Sequence, residues 1–109
     1  MKTVKSENAN EPLGFTMLSM DGENISIPYP NWVEKRVSSE LRDRALRQML
    51  YVASMMEKDA ALCFTRGERK RLKSGKPLPQ YGWNDVKNID YLVSLFLVLL
   101  EDRTKATVH

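Results

Sequence analysis

The stretch Tyr91-Leu92-Val93-Ser94-Leu95-Phe96-Leu97-Val98-Leu99-Leu100 holds nine apolar residues in ten. A helix written this way has no polar face, so it must be surrounded. Ten helical residues span about 15 Å, half a bilayer, and charges flank the run on both sides. A membrane crossing is therefore not expected. Leucine outnumbers β-branched residues, which favours helix over buried strand. Asn84 reads as the N-cap, with Asp85 a favourable anion in the first turn, and the helix is expected to run to about Asp102.

Working back along the chain, Leu41, Ala45, Met49, Val52, Met56, Ala60 and Cys63 recur at three- and four-residue steps. That period predicts one long helix face from Glu40 to about Phe64, widened by Leu46, Leu50 and Ala53. Glu40 precedes Arg44, and Asp43 precedes Arg47, by four residues, the favourable order for ion pairs on a helix. Asn31 offers a cap for Trp32 to Val37, and Ser38 or Ser39 a second one. Residues 31–64 are thus one bent helix or two.

Nearer the N-terminus, Phe15 to Met20 and Ile25 to Ile27 alternate around Asp21-Gly22-Glu23-Asn24, a hairpin signal. Pro28 and Pro30 are expected to stop its second strand. A lone hairpin is marginal in water, so this one must pack on helices or gain strands from a partner. Residues 1–12 are polar and aperiodic and read as a disordered tail. Residues 13–104 form the domain, and 105–109 read as a frayed end. The fold class is mainly α: a small helical domain with a long central helix, an apolar C-terminal helix and an N-terminal β-hairpin. A hairpin and one long helix cover about two sides of the last helix. Its remaining faces are expected to meet a second copy of the chain or an obligate protein partner through Leu92, Leu95, Phe96 and Leu99.

Charge is concentrated. Arg66, Arg69, Lys70, Arg71, Lys73 and Lys76 stand against Glu68 alone, a local +5 in a chain whose net charge is +3. Thr65 and Glu68 have capping-box spacing for a short basic helix over Glu68 to Lys73, ending at Ser74-Gly75. A connector with Pro77 and Pro79 follows. Such a block attracts polyanions, and Tyr81 stands near enough to stack on a base. The plain alternative is a solvated helix with Tyr81 and Trp83 packed inward. Another is an acidic protein surface steered by the same charges.

Catalytic chemistry is poorly supplied. The one histidine is His109, and the one cysteine, Cys63, lies on an apolar face with no histidine near it in sequence. There is no CxxC, HExxH or phosphate-binding glycine loop. Asp85 with Asp90 and Glu101 with Asp102 read as solvated carboxylates at helix ends. Asp21, Glu23 and Asn24 are a fragment of a calcium loop without its remaining ligands. No metal or cofactor is expected. A single cysteine and the absence of an apolar signal region behind Lys2 and Lys5 point to a cytoplasmic protein. The expectation is a small non-enzymatic regulator that binds nucleic acid through residues 66–76. The second possibility is an inhibitor or adaptor of a larger enzyme or complex, docking through its apolar last helix.

Overall fold

The computed structural model describes residues 14–18, 22–55, 64–81 and 85–108. The expected tail at 1–12, as well as Met56, Ala60, Cys63, Trp83 and Asn84, lies outside them.

Strands β1 (Gly14–Leu18) and β2 (Asn24–Pro28) pair antiparallel, with Phe15 opposite Ile27 and Met17 opposite Ile25. Alternation puts these four side chains on one face, which packs on the helices. Leu18 pairs with Asn24, so the connection is longer than a two-residue turn, and Gly22 takes a positive φ of 88° within it. Pro28 belongs to β2 rather than stopping it short. It occupies the last pair of the sheet, opposite Gly14, where proline is tolerated. The approach is close: a Cβ on Gly14 would run into the Ile27 carbonyl oxygen and lie 2.7 Å from Pro28 Cα.

Two helices follow, not one bent helix. Helix α1 (Asn31–Arg36) begins directly after Pro30, with Asn31 as its first residue rather than a side-chain cap. Val37 is extended and ends it. Ser38 then accepts the Leu41 N–H at 3.2 Å and caps α2 (Ser39–Met55). Ala45 and Met49 are buried along α2, and Leu41, Leu46, Val52 and Ala53 pack beside them. Leu50, expected to widen this face, is exposed. Neither Glu40 with Arg44 nor Asp43 with Arg47 closes an ion pair among the described residues. Phe64 stands in a bend outside any helix, half-buried against the core.

Helix α3 (Arg66–Ser74) is the short basic helix, capped by Thr65 as its spacing predicts and extending one or two residues beyond the expected Glu68 to Lys73 at either end. Helix α4 (Ile89–Val108) starts later than Asn84 would have it. Asp85–Lys87 form a 3₁₀ turn, and Asn88 caps α4 by accepting the Asp90 N–H at 2.8 Å. Asn84 and Asn88 are the same residue type one helical turn apart, so the sequence alone does not choose between them. The helix continues to Val108, past Asp102 and through most of the expected frayed end, because no glycine or proline follows Leu100.

The apolar run of α4 is the centre of the molecule. Tyr91 to Phe96 and Val98 are all buried within one chain. This corrects the expectation that Leu92, Leu95 and Phe96 offer a contact surface to a second copy or a partner. Leu92, Leu95 and Phe96 are fully enclosed, and Leu99 is half-buried against the same core. The hairpin and α2 supply two walls, as expected. Val33 and Val37 around α1, Leu72 of α3 and Leu78 of the connector join the same buried cluster. Phe15, Tyr29 and Phe96 form one aromatic group with centroids 5.4–6.0 Å apart. Trp32 and Tyr81 each meet Tyr91 edge-on. No helix among the described residues is long and apolar enough to cross a membrane.

Candidate nucleic-acid interface

The basic block is carried by α3, and α3 is fixed at both ends. At its start the Thr65 hydroxyl accepts the Glu68 N–H at 3.1 Å, while the Glu68 carboxylate accepts the Thr65 N–H at 2.9 Å. This is the capping box that the spacing predicts. The Thr65 N–H holds the Glu68 carboxyl below its usual value, against a smaller upward push from burial, with further help from the Gln80 and Thr65 side chains.

At the other end Gly75 adopts φ +74°, and the Gly75 and Lys76 N–H groups return to the Leu72 and Arg71 carbonyls. The neighbouring carbonyls find side-chain donors from elsewhere in the chain. Trp32 Nε1 donates to Lys73 O at 2.7 Å, and Arg36 donates to Gly75 O at 3.3 Å. The Tyr91 hydroxyl sits 2.8–3.4 Å from the carbonyls of Lys76, Arg71 and Leu72 and donates to one of them at a time. The guanidinium of Arg36 also places a positive charge where the helix dipole is negative.

The six cations separate into two groups. Arg69 pairs with Glu101 and with Asp102, and Lys73 pairs with Asp102. Glu101 and Asp102 are therefore not loose solvated carboxylates; they hold one flank of α3 onto α4. Arg69 and Lys73 are four residues apart, one helical turn, which is why Asp102 reaches both. The remaining cations, Arg66, Lys70, Arg71 and Lys76, are exposed and form no ion pair among the described residues. Arg66 and Lys70 stand one turn apart on the outer edge. Arg71 follows Lys70, about 100° further round the helix, and donates to Pro77 O at 3.4 Å.

Tyr81 is drawn inward. Its hydroxyl is 2.5 Å from the buried Ser94 hydroxyl, and its ring meets Tyr91 at 72°. The single polar residue within the apolar run is the signal for this contact, since a buried serine needs a hydrogen-bonding partner. Among the described residues no group of three His, Cys, Asp or Glu side chains gathers as a metal site would need. Comparisons with protein-family models, curated proteins and solved structures find no match to this chain.

Proposed function

We propose that this chain is a small cytoplasmic regulatory protein, acting by binding rather than catalysis, whose ligand is nucleic acid held by Arg66, Lys70, Arg71 and Lys76. The observation that carries the proposal is the division of the basic block. Four cations are solvent-facing without a carboxylate in ion-pair range among the described residues, on a helix anchored at both ends. Arg69 and Lys73 are already neutralised by α4 and serve the fold. Glu68 remains the local opposing charge, engaged in the cap. Contacts of this kind go to phosphates, so they position a duplex or strand with little sequence preference.

Salt titration tests it. Four phosphate contacts on duplex DNA give a log–log slope of about −3.6, against about −5.4 if all six cations engaged. Reversing Arg66, Lys70 and Lys76 to Glu is expected to abolish binding with an unchanged circular dichroism spectrum. Replacing Lys73 with Gln should leave the slope where it was. Native-like binding by the triple variant would remove the proposal. An adaptor docking through the last helix has less support, because Leu92, Leu95 and Phe96 are enclosed.

A further inference from the structure

A second positive surface lies along the edge of α2 that borders the start of α4, beside the residues whose spacing predicted ion pairs. Arg36, Ser38, Glu40, Leu41, Arg44 and Lys87 line one open depression of about 420 Å³. Arg44 is shared with the next, of about 610 Å³, which Arg47, Gln48, Tyr51, Val52 and Ile89 complete. Together they hold Arg36, Arg44, Arg47 and Lys87 against one carboxylate, Glu40, and no ion pair neutralises these cations among the described residues. At the far end Tyr51 is 63% exposed, and Met55 follows it one turn later at 66%. Arg44 to Tyr51 covers about 10 Å of helix.

This surface is continuous with the basic helix. Arg36 lines the first depression and also donates to the carbonyl of Gly75, the residue before Lys76. A path of positive charge thus leads from the end of α3 through Arg36 to Arg44 and Lys87, then Arg47, and ends at an exposed aromatic ring. A shallow cationic track ending in an exposed ring suits single-stranded nucleic acid. Phosphates meet the guanidinium groups while an unpaired base offers its face to the ring. A duplex keeps its base faces stacked and has nothing to present to Tyr51.

We infer that the α2 face is a single-strand track, with Arg44 and Arg47 on phosphates and Tyr51 as the stacking platform in the place expected for Tyr81. The inference rests on the nucleic-acid reading above and adds strand type and a second set of residues.

The test is fluorescence anisotropy of the full chain with labelled oligothymidylate and with a labelled duplex, across a salt series. Tyr51→Ala is expected to weaken single-strand binding about tenfold, equivalent to one base stack, and to leave duplex binding unchanged. Tyr51→Phe should restore it. Arg44→Gln with Arg47→Gln should reduce the single-strand salt slope by about 1.4. All three side chains are exposed, so the circular dichroism spectrum should not change. Native-like single-strand binding by these variants, with loss on reversing the α3 cations, overturns the α2 track and keeps the nucleic-acid reading. Equal losses on strand and duplex from Tyr51→Ala overturn the stacking role. No binding by the native chain at low salt removes both.

Discussion

Tyr91 has its ring against those of Trp32 and Tyr81 and its hydroxyl among three backbone oxygens of α3 and the residue after Gly75. Replacing it with Phe keeps the packing and removes the hydroxyl donor from the Lys76 carbonyl, while the Arg71 and Leu72 carbonyls keep the Lys76 and Gly75 N–H groups. The expected cost is about 1–3 kcal/mol, read as a lower urea midpoint with an unchanged m-value. Gly75 is constrained twice. Its φ of +74° costs other residues about 1–2 kcal/mol, and a Cβ would stand 2.8 Å from the Trp32 ring. Gly75→Ala should therefore destabilise the fold by more than the conformational cost alone, with Trp32 fluorescence shifting as the ring is displaced. The approach of Gly75 to Trp32 and the place of the Tyr91 hydroxyl do not show in the sequence. Serine, glycine and tyrosine have many ordinary places, and only the three-dimensional meeting of residues 32, 36, 75 and 91 makes these particular ones necessary.

At the scale of elements, α3 has a titratable start. Glu68 has its carboxyl held below the ordinary value of about 4.5 because its charged form accepts the Thr65 N–H. A lowered value in the folded state means the stabilisation is fully present above that ordinary value. It is lost as pH falls through the folded one. The exchange protection factors of the Glu68 and Arg69 amides, which bond Thr65, are expected to fall over that acid range, and Glu68→Gln should flatten the change. This element also shows what the sequence makes legible. Thr65, Glu68 and Gly75 are local signals, and they mark the ends of α3 closely. The mainly helical class, the hairpin, the break at Ser38 as one of two options, and the apolar run were legible for the same reason. The use of Arg69 and Lys73 was not, because their partners lie some thirty residues away on α4. Local charge counting treats all six cations as equal.

For the whole molecule, the decisive feature is that Tyr91 to Phe96 and Val98 of α4 are enclosed by their own chain. Tyr91 to Phe96 lack a polar face, and sequence reasoning counted too few walls for them, because α1, α3 and the connector are short and supply only one or two apolar side chains each. Leu95→Ala should accordingly act on folding. A loss of about 2–5 kcal/mol is expected in denaturant, with the same sedimentation coefficient as the native chain. A changed association state at unchanged stability would contradict this account. The anchoring of α3 has one more consequence, for the order in which the chain assembles. A nine-residue helix is marginal in isolation, and this one depends on Trp32 and Arg36 from upstream and Tyr91 from downstream. It should therefore acquire protection last, after α2 and α4 have met. Until then Arg69 and Lys73 are as free as their neighbours, and the nascent chain carries a stickier, less selective basic segment than the finished protein does.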